Sequence, residues 1–377
     1  MRRIEFDDSY RAPYPQVSRA IRYEDLIFTS GQLDVDGHGR LMHEGDLEAE
    51  TRRSMALLYD AIGQAGGNIE DLAHLQVFYR DDGQVDEAAY RLELASLMPS
   101  NCRPILVLTP IETFPKGVQV EVDAIARVGG VARRLECPDI AAQRAGDLIF
   151  LHADIKGGPG GVSATFDAVD QCLDGLGAGL DDVVKLRYYS QSLANRLSET
   201  ERRILQYFPA PGPVYTRLPL ADTGVHAAQI ELFAVIADDE KLLLQRALPG
   251  DHDSCPWGLD NPLALGRSRY VFVGGQLCVD GSGVVQHPGI IGPQIDTVMN
   301  RLRRILSVFD LDLDSLAKVN AYHHGREDKA TWTKNVQSRA DHYPSPGPAS
   351  TGVEVPTVGM DGALMTLDCV ALRPCGY

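Results

Sequence analysis

Residues Phe28 to Asp36 read Phe-Thr-Ser-Gly-Gln-Leu-Asp-Val-Asp, and the chain returns to that phrase twice. At Phe272 it stands as Phe-Val-Gly-Gly-Gln-Leu-Cys-Val-Asp, and at Phe150 in a worn form, Phe-Leu-His-Ala-Asp-Ile-Lys-Gly-Gly. The phenylalanines at 28, 150 and 272 are 122 residues apart each time. A fixed period that long is a domain rather than the module of a solenoid, and three such units fit a chain of 377 residues at the usual density of about 100–200 residues per domain.

Around the first copy the pattern is explicit. Asp25 to Ser30 is strand-like and bounded by Gly31, and Asp36-Gly37-His38-Gly39 is a hairpin turn. From Glu48 to Ala65, Met55, Leu58, Ala61 and Ile62 recur at helical spacing until Gly66-Gly67 stops them. A strand over Leu72 to Tyr79, a helix near Asp86 to Met98, and strands at Ile105 to Leu108 and Val118 to Ala126 complete the order β-β-α-β-α-β-β. Such an α+β unit lays its helices on one face of a mixed sheet and leaves the other face in need of cover.

The second unit is compressed, from Phe150 to Tyr189 where the first runs from Phe28 to Phe78, and Gly157-Gly-Pro-Gly-Gly161 replaces its hairpin. The third restores the spacing, from Phe272 to Tyr322, with an amphipathic helix over Gln294 to Phe309. Boundaries near Gly129-Gly130 and Asp238-Asp239 divide the chain into 1–129, 130–239 and 240–377.

Composition narrows the function classes. With 44% hydrophobic and 23% charged residues this is an ordinary globular chain, and no apolar run reaches the roughly 20 residues of a membrane helix. The start, Met1-Arg-Arg-Ile-Glu-Phe-Asp-Asp8, lacks an apolar core behind its basic pair, so no signal peptide and a cytoplasmic location are expected. A formal charge of −16 opposes binding to a nucleic-acid backbone. The seven cysteines, 102, 137, 172, 255, 278, 369 and 375, lack metal-site spacing and read as reduced thiols. His323-His324 has no third ligand at useful spacing, and no GxGxxG or GxxxxGKS loop is present. Neither metal nor cofactor is expected.

The end of the first strand at Ser30-Gly31-Gln32, the helix closed by Ala65-Gly66-Gly67, the Leu75-Gln-Val-Phe-Tyr79 strand and the closing Gln119-Val-Glu-Val-Asp-Ala-Ile-Ala126 resemble the Rid (YjgF-type) family of reactive-intermediate deaminases. The second unit shares Gln229-Ile-Glu-Leu-Phe-Ala-Val-Ile-Ala237 with that pattern. Members are homotrimers with sheets facing inward around a three-fold axis and one active site in each cleft between neighbours. The resemblance therefore implies three tandem α+β domains of chorismate-mutase-like fold, forming an intramolecular pseudo-trimer with sheets inward and helices outward. It also implies a monomer or a low-order homo-oligomer, because the trimer interface is filled within one chain.

The family hydrolyses imines and enamines of amino acids. An arginine grips the substrate carboxylate in bidentate fashion, and a glutamate in a partly dry cleft exchanges protons with water and the leaving amine. Carried over residue by residue, the arginine position is Arg103, the glutamate is Glu121, and Ser30 and Gly31 line the substrate. In the second unit Tyr215 takes the arginine position and Glu231 the glutamate position, with Arg217 two residues on, on the same strand face as Tyr215. In the third unit Ser350 and Thr366 occupy the two positions. Val17 replaces a family tyrosine, and Ile105 stands where cysteine is common; these departures point to a larger or less polar substrate.

Read without the resemblance, Arg103 also fits a surface arginine at a loop edge, Glu121 a solvated strand residue as well as a catalytic one, and His152 a structural histidine, while Trp257 and Tyr343 either wall a ligand cleft or pack. The expected function is a Rid-type enzyme acting on an imine, enamine or related amino-acid-derived intermediate, with a carboxylate-bearing small molecule as its partner. A non-catalytic binding protein and a chorismatase-like lyase are the alternatives, the latter without any of its motifs here.

Overall fold

The computed structural model describes residues 1–6, 17–115, 117–130, 133–137, 139–158, 160–224, 226–237, 245–247, 255–258, 261–325 and 329–374. Three six-stranded sheets follow one another along the chain. The first comprises β1 (Arg2–Ile4), β2 (Ala20–Tyr23), β3 (Leu26–Thr29), β4 (Leu72–Arg80), β5 (Ile105–Ile111) and β6 (Val120–Arg127), with helices α1 (Leu47–Gln64) and α2 (Glu87–Ser96). The second comprises β7 (Arg133–Cys137), β8 (Ile140–Ala145), β9 (Leu148–Asp154), β10 (Val183–Ser190), β11 (Val214–Pro219) and β12 (Ala228–Val235), with α3 (Gly161–Gly175) and α4 (Glu199–Leu205). The third comprises β13 (Gln245–Ala247), β14 (Ala264–Arg267), β15 (Tyr270–Gln276), β16 (Leu316–His324), β17 (Ala349–Val355) and β18 (Met365–Leu372), with α5 (Ile291–Ser307) and α6 (Lys329–Ala340).

All three sheets share one strand order, which for the first is β1-β2-β3-β6-β4-β5. The fourth and fifth strands of each unit are parallel and joined by its second helix, while the other pairs are antiparallel. Helices start where the sequence supplies caps: Asp46 accepts from the Ala49 N–H, Asp86 from Ala89, and Ser198 forms a capping box with Glu201.

Each unit opens differently from the sequence expectation. The strand expected after the Asp36 turn is reduced to a single bridge, Val35 to Leu41, because Gly45 and the cap Asp46 follow at once. Two unexpected antiparallel strands stand before Phe28 instead. They join β3 through Glu24-Asp25, where Glu24 takes a φ of 52° that a non-glycine residue seldom adopts. The linker after β6 passes through Gly129 and Gly130, both at positive φ, whereas the boundary at Asp238-Asp239 lies outside the described residues.

The chain is a closed pseudo-trimer. Phe28, Phe78, Phe150, Tyr189, Phe233, Phe272 and Tyr322, drawn from all three sheets, belong to one buried apolar cluster. Three separate clusters lie between each sheet and its own helices, with Leu58 and Ile62 of α1, Phe166 and Val169 of α3, and Leu302 and Ile305 of α5. Sheets therefore face inward and helices outward, which covers the sheet face that one unit alone would expose.

Candidate functional site

Strand register defines which residues are equivalent. Phe78 pairs with Glu121, Tyr189 with Gln229 and Tyr322 with Thr366. Two residues further on, Gln76 pairs with Asp123, Arg187 with Glu231 and Asn320 with Asp368. Glu231 is therefore the counterpart of Asp123, and Gln229 holds the place that the sequence reading gave to Glu231. On the parallel strands Leu75 pairs with Leu106, Leu186 with Tyr215 and Val319 with Ser350. Tyr215 and Ser350 are thus equivalent to each other and to Leu106, while Arg103 lies three residues earlier, before β5 begins.

Inward-facing charges join the units head to tail. Lys318 of the third unit meets Asp123 of the first at 3.2 Å, His74 of the first meets Glu231 of the second at 2.5 Å, and Lys185 of the second meets Asp368 of the third at 2.7 Å. Each donor stands four residues before Phe78, Tyr189 or Tyr322, so the three contacts repeat one geometry around the axis. Arg187 bridges two of them, reaching Glu231 at 3.1 Å and Asp368 at 2.9 Å. Burial works against ionisation of Glu231 and Asp368, but the Arg187 charge, with His74 or Lys185, holds both carboxyls well below the usual range.

The cleft between the first and third units carries the residues with most chemistry. The Ser30–Gly31 corner at the end of β3 lies on the edge of β17. Gly31 N–H donates to the Ser350 carbonyl at 3.1 Å, Ser350 N–H to Ser30 Oγ at 2.7 Å, and Ser30 Oγ to the Ser18 carbonyl at 2.6 Å. Ser18 forms a parallel bridge with Ala349, and Val17 packs against the core of the third unit. Over this corner lies Glu121, 5% exposed, whose Oε1 accepts a long 3.4 Å hydrogen bond from Gly352 N–H. Burial, with the Asp123 carboxylate adding to it, pushes the Glu121 carboxyl up to about 8 against the opposing pull of Gly352 N–H, Lys318 and Arg339. At neutral pH it is predominantly protonated.

Arg339 supplies the guanidinium. It is 2% exposed on α6, and it donates from Nη1 to Ser350 Oγ at 2.9 Å and from Nε to Asn335 Oδ1 at 3.2 Å. A Cβ on Gly352 would come within 3.2 Å of its Nη2, so the small residues at 350 and 352 leave the room that the arginine fills. Among the described residues it has no acidic partner within ion-pair distance. His323, pushed down to about 3 by burial, and Tyr343, buried with its hydroxyl near Arg339, lie on the same helix-facing side of the sheet.

The other two clefts are closed by their own residues. At the interface of the second and third units, Arg217 is fully buried and bidentate to Glu201, at 2.6 and 3.2 Å, and Tyr215 donates to the same carboxylate at 2.8 Å. Trp257 covers that guanidinium, its ring 5.2 Å away. At the interface of the first and second units, His226 links Glu87 at 3.0 Å to Asp154 at 2.9 Å. Gln229 also donates to Asp154, and burial lowers the pKa of the neighbouring His152.

Of the residues expected from sequence, the structure brings together Ser30, Gly31 and Glu121, and Ser350 with them. Arg103 does not join them: it is exposed beside the second unit, where its carbonyl accepts from Arg134, and the charged groups that act on Glu121 are Asp123, Lys318 and Arg339. Arg217 and Glu231 do not share a cleft with each other, being locked to Glu201 and to His74 with Arg187. Sequence reasoning missed Arg339, which sits on a helix where no strand motif points to it. It also passed over His74, Lys185 and Lys318, although their equal distance from each unit's aromatic anchor was a usable signal. Among the described residues no group of three His, Cys, Asp or Glu side chains is placed to hold a metal, and no helix is long and apolar enough to cross a membrane.

Comparison with known proteins agrees with this fold. The profile of the family described as Endoribonuclease L-PSP matches residues 9–128 and 261–373, passing over the worn second unit. A RutC family protein of Pyrococcus abyssi is 25% identical over 123 residues, 33% of this chain and 94% of its own length. The 3-aminoacrylate deaminase RutC of Acinetobacter baylyi is 26% identical over 117 residues, 31% of this chain and 88% of its own length. Among solved structures, a chorismatase covers 80% of this chain and 93% of its own with a TM-score of 0.56, at 14% identity, a likeness of fold alone. With more than half of its residues matched by the family profile, and with its unit repeated three times, the chain belongs to the Endoribonuclease L-PSP family as a tandem Rid-type member.

Proposed function

We propose that the chain is an enzyme that hydrolyses an amino-acid-derived imine or enamine, releasing ammonia, at the single cleft between its first and third units. The observation that carries this reading is a pair: the buried carboxyl of Glu121 over the Ser30–Gly31 corner, its pKa raised by burial, and across the interface a buried guanidinium, Arg339, that no described acid neutralises. In the reaction Arg339 holds the substrate carboxylate and so fixes the C=N group near Glu121. The Glu121 carboxyl gives its proton to the imine nitrogen, or to the enamine carbon β to the nitrogen to form the iminium. Water adds to the electrophilic carbon, and the Glu121 carboxylate takes a proton from it as it bonds. That proton passes to the amine, which leaves as ammonia while the hydroxyl gives its proton back to the Glu121 carboxylate and the carbonyl forms, so a 2-imino acid and water give a 2-oxo acid and ammonia with Glu121 restored. The enamine named in the RutC relative from Acinetobacter baylyi, 3-aminoacrylate, is a substrate of this chemical class.

The test is ammonia release from 2-imino acids generated in situ by an amino-acid oxidase. Wild-type protein accelerates it, Arg339→Gln lowers kcat/KM at least about tenfold, as loss of a charge-assisted contact to a carboxylate predicts, and Arg103→Gln stays within about threefold. A large loss in Arg103→Gln with none in Arg339→Gln would return the anion site to the loop before β5. A chorismatase-like lyase reading draws on the fold likeness over most of the chain, and chorismate consumption without ammonia release would favour it. Carboxylate binding without turnover of either substrate would make the protein a binding module.

A further inference from the structure

Arg217 and Arg339 stand on the same side of their units and differ in charge balance. In the second unit α4 supplies an acid, Glu201, and the strand supplies the arginine, so the two neutralise each other inside the fold. In the third unit the helix supplies the arginine itself, and the residue one turn earlier is Asn335, fully buried, whose Oδ1 takes the Nε–H bond and whose Nδ2 has no partner. The remaining charges of the cleft cancel or are absent: Lys318 is balanced by Asp123, and Glu121 is predominantly protonated at neutral pH. One positive charge is left over, buried, with a neutral amide at the place from which an acid would quench it.

We infer that Asn335 is the specificity-determining residue of this cleft: its neutral side chain leaves Arg339 uncompensated, so that the cleft selects ligands bearing a single carboxylate. This rests on the reading of the cleft as a carboxylate site and adds to it the element that keeps the site open. An aspartate at 335 would put a carboxylate oxygen where Oδ1 now stands, 3.2 Å from Nε, and turn Arg339 into a second Arg217. The charge would then be satisfied from within, and an incoming anion would have to displace a neighbour rather than meet an uncompensated charge. A dianion is disfavoured for the complementary reason, since its second charge would be buried with no cation to meet it.

Calorimetric titration of the full-length protein with pyruvate tests this without any turnover. Asn335→Asp is isosteric, so it should fold with an unfolding midpoint at or above that of the wild type, and the pyruvate Kd should rise at least about tenfold. Asn335→Ser removes the same hydrogen bond but stays neutral, and its loss should be at least about fivefold smaller. Wild-type protein should also bind monomethyl malonate more tightly than malonate, which has the same skeleton and one more charge. Equal losses in the two Asn335 variants, an unchanged Kd in Asn335→Asp, or a preference for malonate would each overturn the inference. Absence of ammonia release alongside the expected binding pattern would sink the hydrolytic reading and leave this one standing; turnover with unchanged pyruvate affinity in Asn335→Asp would do the reverse.

Discussion

Glycine at position 31 is imposed by Glu121. A Cβ there would fall 1.8 Å from Glu121 Oε1, so the carboxyl can lie over the Ser30–Gly31 corner only because that residue has no side chain. Confinement of this kind keeps water from the carboxyl and sustains its raised pKa. The consequence for stability has a definite sign. Since the folded-state pKa, about 8, lies above the ordinary 4.5, the folded protein holds a proton there that the unfolded chain releases, and stability is lost as pH rises from about 4.5 to about 8. At roughly 1.4 kcal/mol per pKa unit the loss is a few kcal/mol. Glu50, buried and pushed up to about 7, acts in the same direction, so the informative quantity is the difference between wild type and Glu121→Gln. Denaturant midpoints should show the wild type losing ground against Glu121→Gln across that window, while kcat/KM of the wild type falls above about pH 8. Parallel stability curves for the two proteins would mean that Glu121 titrates normally. Legibility divides here: the Ser30-Gly31 corner and Glu121 were readable because they belong to strand ends whose pattern repeats, whereas Arg339 acts through space from a helix and leaves no periodic mark.

Strands and helices were read well where hydrophobic period and glycine stops agree. The helix expected over Glu48 to Ala65 is Leu47–Gln64, and the strand expected over Leu72 to Tyr79 is Leu72–Arg80. The opening hairpin of the first unit was missed because Glu24-Asp25 turns the chain without the Gly or Asn that signals a tight turn, whereas the second unit's hairpin carried that signal at Gly146 and was passed over. Register slipped by two in the second unit for a different reason: Gln229 and Glu231 share a strand face, and Glu231 was the carboxylate of the two. The structure separates them, because Glu231 faces His74 and Arg187 near the axis and serves the joint between units. Those joints carry a testable cost. Lys318 Nζ donates to the Thr29 carbonyl and to Thr351 Oγ1, both at 2.6 Å, as well as meeting Asp123. Lys318→Met would leave Asp123 as an unpaired buried carboxylate and should cost about 3–5 kcal/mol in equilibrium unfolding. A loss under about 1 kcal/mol would show that the joint tolerates an unpaired acid and does not specify the order of the units.

Fusing three units into one chain lets each cleft change by itself. A homotrimer must alter all three sites together, whereas here one interface keeps a buried glutamate of raised pKa and an unquenched arginine, and the other two close on Glu201 and on His226. The closed architecture was legible in the 122-residue period and in the bare sheet face of each unit. The inequality of the clefts was not, since it depends on which strand edge faces which neighbour. With its inner faces already mutually covered, the protein should scatter light as 41.2 kDa or a small multiple of it, and a species built by exchanging one unit among three chains would contradict the closed fold. The central claim is that one cleft of the three is the working site, and a crystal structure with bound pyruvate tests it most directly. One carboxylate per chain is expected, between the first and third units, on Arg339 and beside Glu121. Pyruvate at Arg217, at Arg103, or equally in all three clefts would contradict it.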